Sequence, residues 1–330
     1  EIVVTSDGTE TLDLTSIQDF WSGWFDKGSW PVEDLFYSLA NKFVRRVVMD
    51  DPAAMEKIQG KSVLYLANHQ VGIESLLFSI IASGLFKVPT VTLAKAEHRD
   101  TWLGHLIRDA FSYPGIQDPE VIKFFDRDDK QSLPKIIGEL AQDMMGPGKS
   151  VMVHVEGTRS LSSVTPVQKM SGAFIDMALK TGVPIVPIRF TGGLPREELS
   201  ERIEFPLNMG AQDYHFGRPI MPEELASMPY GERKKVVMAA INGLGPSNAE
   251  ETALPGDKAF EKTVRAWCQD SGVSEDDAVL LQCLLAEPQV SEETGLILQS
   301  LNTGKLKVSR GKKGTWLKAL AKRLLGSRSA

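Results

Sequence analysis

From residue 61 onward, short apolar runs alternate with longer segments whose apolar residues recur at helical spacing. Short apolar runs bounded by turn-forming residues are typical of buried strands, and the longer segments are typical of helices that cover a sheet. The alternation predicts an α/β fold with a mixed sheet covered by helices. Strands are predicted at 62–68, 90–95, 150–156, 184–190 and 211–220, and helices at 75–86, 101–111, 131–145, 170–181 and from residue 222 onward.

The region before this alternation is predicted to hold a loose arm and then a helix. Residues 1–24 are assigned to an N-terminal arm, in which residues 1–15 are polar and poorly patterned. A helical segment is predicted after Pro31, because proline suits the first position of a helix and an apolar stripe follows it. The stripe consists of Leu35, Phe36, Leu39, Phe43, Val44 and Val47.

Towards the C-terminus the charge of the chain changes sign. The α/β domain is assigned to 25–245, and the turn-rich, acidic stretch near 245–256 is interpreted as a linker. Residues 257–304 are compatible with helix and are predicted to form an acidic helical appendage. Residues 246–304 contain eleven Asp and Glu against three Lys and Arg, whereas residues 305–330 contain nine Lys and Arg and no acid. This last stretch is predicted to be a basic amphipathic tail.

Composition favours a globular protein without a disulfide framework. Hydrophobic residues make up 42% and charged residues 24% of the chain, and a net charge of −6 gives no general attraction to nucleic acid. The two cysteines have no CxxC spacing, which indicates reduced thiols. The most apolar run, 75–86, is too short to cross a bilayer, which takes about 20 residues. No signal peptide is visible, and the chain begins without methionine, which suggests a processed or excised polypeptide.

Polar and charged residues follow two of the predicted strands at the point where each strand ends. Asn68 and His69 end one strand, and Glu74 comes five residues after the histidine. Glu156 and Arg159 follow another strand, in a turn that contains glycine. Ligands gather at the carboxyl ends of strands in open α/β sheets. A carboxylate can orient a histidine, and an arginine suits phosphate or carboxylate. The pattern predicts a general base beside an anion-binding group.

Four sequence blocks resemble those of the glycerophosphate acyltransferase family, which includes glycerol-3-phosphate and lysophosphatidic acid acyltransferases. The family's N-H-x-x-x-x-D block is matched at 68–74, and its F-P-E-G-T-R-S block at 154–160. An apolar-Asp-Arg block is matched at 124–127, and the V-P-I-V-P-I block at 183–188. The four blocks stand in the family's order within about residues 60–220.

This resemblance implies direct acyl transfer from a thioester, acyl-CoA or acyl carrier protein, to a hydroxyl of a glycerophosphate or lysophospholipid. His69 would take the hydroxyl proton while Glu74 holds its ring, and Arg159 would bind the acceptor's phosphate. The resemblance implies neither a metal nor another cofactor. Further implied residues are Lys95, Arg127 and Lys169 as helpers in phosphate binding, and Glu156, Gly157 and Thr158 as structural or oxyanion-binding members of the turn.

The chain departs from the family blocks in ways that leave the acceptor open. Glu74 stands where the family has Asp, and His154 and Val155 stand where it has Phe and Pro. These departures favour, as an alternative, the same chemistry on an amino-alcohol, sugar or polyketide hydroxyl. The missing initial methionine and the added C-terminal helices leave room for a module of a larger lipid or polyketide synthase. A catalytically silent lipid-binding scaffold with the same fold is a further alternative.

Two other sequence motifs are incomplete in this chain. The GPGKS stretch at 146–150 resembles a nucleotide-binding loop, but Asp143 takes the place of the required glycine and the stretch leads into a strand. No G-x-S-x-G elbow is present for a serine nucleophile.

A cytoplasmic location, with peripheral binding to the inner face of a membrane, is a further expectation. Trp21, Trp24 and Trp30 suit either core packing or a membrane interface, and the basic tail suits either a solvated helix or a charged lipid surface.

Overall fold

A computed structural model describes residues 13–25, 33–111, 117–126, 128–207, 210–271 and 274–286 of the 330-residue chain. The strands are β1 Val44–Met49, β2 Leu64–Ala67, β3 Thr90–Lys95, β4 Ile122–Phe125, β5 Ser150–His154, β6 Ile185–Thr191 and β7 Gln212–Phe216. The helices are α1 Thr15–Trp24, α2 Glu33–Phe43, α3 Pro52–Lys57, α4 Glu74–Phe86, α5 Trp102–Phe111, α6 Ser132–Met145, α7 Ala173–Thr181, α8 Pro222–Ala226, α9 Tyr230–Asn242, α10 Lys258–Ser271 and α11 Glu275–Ala286, with a 3₁₀ turn at Ala96–Asp100.

The seven strands form one sheet in the order β1-β7-β6-β2-β5-β3-β4. All neighbouring strands run parallel except β6 and β7, which are antiparallel. The central strand β2 is fully buried, as are its neighbours β5 and β6, which explains why these segments read as continuous apolar runs. The predicted α/β fold with a mixed sheet is confirmed.

Alternation along the strands sends side chains to two different layers of core. Leu64 and Leu66 of β2 belong to an aliphatic cluster with residues of α6, α7 and α9. Tyr65, between them, points the other way and packs edge-on against Phe78 of α4, with ring centroids 5.0 Å apart. Helix α4 is apolar around its whole circumference and almost entirely buried, which is why it lacks an amphipathic pattern.

The predicted helix through Val47 is wrong in its second half. Helix α2 ends at Phe43, and Val44 begins β1, which pairs in parallel with β7. The apolar spacing of Val44 and Val47 fits a helix and a strand alike, so periodicity could not separate them. The β-branched composition of the VRRVV stretch favours the strand, and the ladder with β7 satisfies its backbone. Strand β4 was also not foreseen.

The interpretation of residues 245–256 as a linker is wrong as well. Glu251 is 2% exposed. The backbone N–H of Leu254 donates to the carbonyl of Gly192 at 3.1 Å, and that of Gly210 donates to the carbonyl of Leu254 at 2.7 Å. This segment is therefore packed against the residues that follow β6 and precede β7.

The described residues fall into two compact units. The first contains residues 13–20, 43–96 and 120–256, and so it holds the whole sheet. The second contains residues 21–42, 97–119 and 257–286, and includes the helix pair α10 and α11.

The expectations for the tryptophans, for Arg127 and for the tail can be compared with the residues that the structure describes. Trp21 is buried and stacks on Phe25, with ring centroids 5.7 Å apart, which favours core packing for this residue. Trp30, Arg127 and the basic tail lie outside the described residues. Among the helices that the structure describes, none is both long and apolar enough to span a bilayer.

Candidate active site

The carboxyl ends of β2 and β5 bring two functional segments together. The histidine loop, residues 68–73, follows β2, and the arginine turn, residues 156–160, comes shortly after β5. The two strands are parallel neighbours, with Ala67 opposite His154. The backbone N–H of Ser160 donates to the carbonyl of His69 at 2.8 Å, which ties the turn to the loop. The general base and the arginine predicted from the sequence therefore lie at one edge of the sheet.

His69 and Glu74 are in contact, as their spacing predicted. Nδ1 of His69 lies 3.3 Å from Oε2 of Glu74. Glu74 is the first residue of α4, and its side chain reaches back under the loop that precedes the helix. Its Oε1 accepts hydrogen bonds from the backbone N–H groups of Gln70 and Val71, both at 2.8 Å, and from Nε2 of Gln212 at 3.2 Å. The longer glutamate side chain is thus held by several donors before it meets the imidazole.

Burial and hydrogen bonding act in opposite directions on Glu74. Burial raises the pKa of Glu74 to about 7, while the donors from Val71, Gln212 and Gln70 lower it. With Glu74 ionised, the proton of His69 stays on Nδ1, where the carboxylate accepts it. In this tautomer the lone pair of the ring lies on Nε2, which is the protonation state that a general base requires.

A second histidine, His154, stacks on the first. The two rings have centroids 3.5 Å apart and an interplanar angle of 12°. Nδ1 of His154 lies 2.8 Å from the carbonyl oxygen of Asn68, which can only accept, so Nδ1 carries the proton. Nε2 then accepts from the hydroxyl of Ser75 at 2.9 Å. Burial, together with the charge of His69, lowers the pKa of His154 to about 3, and the ring is neutral at physiological pH.

Ligand atoms of His69, Glu74 and His154 lie within 4.8 Å of one another, so this cluster was considered as a metal site. Both nitrogens of His154 are already occupied by Asn68 and Ser75. Lone pairs of imidazole lie in the plane of the ring, so two stacked rings do not direct theirs at a common point. The arrangement fits proton transfer at His69 better than coordination of an ion.

Arg159 is engaged by an internal carboxylate. Its Nη1 donates to Oε1 of Glu204 at 2.9 Å and to the carbonyl of Ile203 at 2.8 Å. The segment with Ile203 and Glu204 also binds the histidine loop through its backbone. The N–H of Gly72 donates to the carbonyl of Ile203, and the N–H of Ile73 donates to the backbone carbonyl of Glu204. A Cβ at Gly72 would meet the Glu204 carboxylate, so a larger residue there would require the Glu204 side chain to move.

The remaining predicted residues occupy varied positions. Gly157 has φ of 70°, a conformation that favours glycine, and its N–H donates to the carbonyl of His154, so it serves the turn. Lys95 is the last residue of β3, at the same edge of the sheet. Lys169 is exposed, and its charge lowers the pKa of Glu156 against the raising effect of burial. Thr158 lies half-buried in the turn.

Several polar residues of the site were missed by sequence reasoning. Gln70, Gln212 and Glu251 are buried and form hydrogen bonds that lead to Glu74, and Glu204 pairs with Arg159. Only Gln70 carried a signal, since it lies inside the histidine motif. The others come from segments far away in the sequence, and no local pattern marks them.

Comparison with known proteins agrees with this geometry. Residues 52–191 match the model of a protein family described as Acyltransferase. The matched stretch contains both the histidine loop and the arginine turn, so the similarity to this family includes the candidate site. No curated protein matches the chain.

Proposed function

We propose that the chain transfers an acyl group from a thioester to a hydroxyl, with His69 as the general base. The observation that carries the proposal is the contact of His69 Nδ1 with a buried carboxylate that its own loop holds in place. The hydroxyl oxygen attacks the thioester carbonyl as its proton passes to Nε2 of His69. The carbon–sulfur bond then breaks, and the imidazolium returns the proton to the leaving thiolate, which gives an ester and a thiol.

General-base help of this kind accounts for about 10²–10⁴ in rate. Glu74 contributes by holding the ring and by stabilising the imidazolium as it forms. The rest of the acceleration has to come from bringing donor and acceptor together at the edge of the sheet.

Acceptor and donor follow from the family resemblance. The acceptor is a glycerophosphate or lysophospholipid hydroxyl, and the donor is acyl-CoA or an acyl carrier protein. We assign the chemistry to the α/β domain predicted at 25–245, together with the packed segment that follows it. The acidic appendage at 257–304 and the basic tail at 305–330 stay predictions. Peripheral contact with a membrane through the basic tail would bring the enzyme to a lipid acceptor in phospholipid biosynthesis.

A second candidate, transfer to a hydroxyl without a phosphate, is favoured by the pair of Arg159 and Glu204. Their charges cancel, and both side chains are more than three-quarters buried. Two charges of equal sign about 4 Å apart repel by about 4 kcal/mol at the effective dielectric of a protein surface. An acceptor phosphate bound to Arg159 would therefore have to displace the Glu204 carboxylate or bind against its repulsion.

Ester formation with a panel of acceptors tests the proposal. Acyl-CoA and acyl carrier protein are each combined with glycerol-3-phosphate, lysophosphatidic acid, glycerol and a long-chain alcohol, and the ester is identified by mass spectrometry. Release of thiol that depends on an acceptor, with the matching ester, is expected. A preference for the phosphorylated acceptors supports the first candidate, and a preference for the others supports the second. Acceptor-independent hydrolysis alone would contradict acyl transfer.

A further inference from the structure

Behind the histidine loop lies a buried ion pair that belongs to no family motif. Nη2 of Arg189, in β6, is 2.7 Å from Oε2 of Glu251, and both side chains are 2% exposed. Nη1 of Arg189 also donates to the carbonyls of Asn242, the last residue of α9, and of Leu244 and Pro246 beyond it. The arginine thus holds the segment that carries Glu251 against the sheet.

From Glu251 a chain of hydrogen bonds leads to the catalytic carboxylate. Nε2 of Gln70 donates to Oε1 of Glu251 at 2.6 Å. Oε1 of Gln70 accepts from the N–H of Gly193 at 3.1 Å and from Nε2 of Gln212 at 3.2 Å. That same amide nitrogen of Gln212 lies 3.2 Å from Oε1 of Glu74. Every side-chain link in this chain is buried.

Both sequence neighbours of His69 are fixed by their side chains. Asn68 forms two hydrogen bonds with the backbone of Phe190 in β6, donating to the carbonyl at 2.9 Å and accepting from the N–H at 2.7 Å. Gln70 is fixed by Glu251 and Gly193 on the other side. The backbone of His69 is therefore held from both directions, and its imidazole has little freedom to leave Glu74.

Stability alone is a weak reason for this arrangement. Buried ion pairs often contribute nothing, because removing two charges from water costs as much as their attraction returns. A buried network of hydrogen bonds nevertheless fixes the positions of the side chains that it joins. Among the described side chains of this network, Gln212 has one atom, Oε1, without a hydrogen-bond partner. The Glu251 network is best explained by what it positions.

We propose that Gln70 and Glu251 are positioning residues for the general base. The Arg189–Glu251 pair fixes the Gln70 amide, and Gln70 fixes the loop in which His69 meets Glu74. This inference rests on the proposed role of His69. It also makes residues 245–256 part of the active site, although they lie outside the stretch that matches the acyltransferase family.

Exchanging the amide of Gln70 with the carboxylate of Glu251 tests the inference. In Gln70→Glu, two carboxylates face each other. In Glu251→Gln, an amide N–H₂ has to face either Gln70 or Arg189, both of which are donors. The double variant Gln70→Glu/Glu251→Gln restores one donor and one acceptor between the two positions, and it keeps the net charge. Gly192, whose N–H donates to Glu251 at 3.2 Å, limits how complete the rescue is.

Each single variant is expected to lower kcat by about tenfold or more, with KM for both substrates changed by less than about threefold. The double variant is expected to recover at least about fivefold of that loss, because residues in one network couple. Gln70→Glu should also move the acid limb of the pH profile to higher pH, since its charge stands beside Glu74 and His69 and favours protonation. Melting temperatures and circular dichroism establish the folded fraction to which activity is normalised.

Arg196→Met is the matched control. Arg196 binds the same segment through the carbonyls of Ala249 and Glu251, but it has no link to Gln70. Activity of the folded control should equal that of the wild type.

The inference would be overturned if the loss of kcat in the double variant equalled the product of the two single losses. It would also be overturned if the single variants had wild-type kcat. Both results would leave the proposal of acyl transfer intact. Full activity in His69→Ala would instead overturn the proposed function itself.

Discussion

The histidine loop and the arginine turn lie side by side at the same edge of the sheet, but the charged groups of the two segments have different kinds of partner. At the histidine loop, donors from the backbone and from Gln212 converge on Glu74, and the carboxylate faces the imidazole of His69. In the arginine turn, Nη1 of Arg159 faces an internal carboxylate, Glu204. The first segment is organised for proton transfer, whereas the second has its charge cancelled from within.

This difference separates the question of which reaction the site catalyses from the question of which acceptor it binds. The family resemblance alone answers both questions together. In the proposed function, the reaction depends on the histidine loop, and the choice of acceptor depends on what Arg159 can bind. A change in one segment should therefore alter rate with any acceptor, and a change in the other should alter the choice of acceptor. The following variants test that separation.

Glu74→Gln should have the largest effect among changes that keep the fold. The Gln carbonyl can still accept from Gln70, Val71 and Gln212, while its N–H₂ faces Nδ1 of His69. The proton then moves to Nε2, and the base is lost. The equivalent carboxylate-to-amide change in a serine protease triad costs about 10⁴ in kcat.

We expect a loss of about 10²–10⁴ in kcat with every acceptor for Glu74→Gln. Steady-state kinetics, with circular dichroism as the check on folding, measures it. A variant that is folded and retains wild-type kcat would show that the carboxylate does not orient the base.

Activity should fall as the pH drops below about 7. Burial raises the pKa of Glu74 to about 7, so the carboxylate is ionised above this pH and becomes protonated below it. Protonation removes the acceptor for His69 Nδ1–H, and kcat/KM then decreases by up to about tenfold per pH unit. His69 and Glu74 interact, so the limb belongs to the pair.

The pH profile from 5.5 to 9 should be recorded with a phosphate-free acceptor, because the second ionisation of a phosphate monoester lies at about pH 6. Rates that stay constant down to pH 5.5 would contradict the raised pKa of Glu74 as a feature of the working enzyme.

Glu204→Gln should change the choice of acceptor. The amide keeps a hydrogen bond to Arg159 but removes the negative charge beside it. The ratio of kcat/KM for glycerol-3-phosphate to that for glycerol should rise by about tenfold, the equivalent of about 1.4 kcal/mol of relieved repulsion. Glu201→Gln, an exposed glutamate nearby in the sequence, is the control. An unchanged ratio would mean that Glu204 does not influence acceptor charge.

His154→Phe should have the smallest effect on rate. Phenylalanine keeps a ring against His69 but leaves Asn68 O and the Ser75 hydroxyl without this partner, at a cost of about 1–3 kcal/mol in the free energy of unfolding. We expect kcat within about tenfold of wild type. Thermal and urea unfolding measure the stability. His154→Ala, which also loses the stacked ring, should be less stable still. Equal stability of the wild type and both variants would contradict the described contacts.

Sequence patterns predicted the fold well where the spacing of apolar residues in a segment fits only one type of secondary structure. The strands β2, β3, β5 and β6 and the helices between them were predicted within a few residues, because continuous apolar runs in a parallel sheet leave few alternatives. Val44 and Val47 were ambiguous, and only the pairing of β1 with β7 decides between helix and strand.

The site was predictable where it lies within one loop. His69 and Glu74 share a motif, and their contact follows from its spacing. Glu251 and Glu204 could not be found in this way, since each reaches the site through tertiary packing. The turn-rich residues around Glu251 read as a linker because its buried partners, Arg189 and Gln70, are distant in sequence.

The central claim is that His69 takes the proton of the acceptor hydroxyl, and a comparison of His69→Ala with His105→Ala tests it most directly. His105 lies in α5, in the second unit, and serves as the matched histidine control. Acceptor-dependent release of thiol from an acyl thioester is followed for both folded variants and the wild type. The account predicts a loss of about 10² or more for His69→Ala and wild-type activity for His105→Ala. Equal turnover in all three proteins would contradict it.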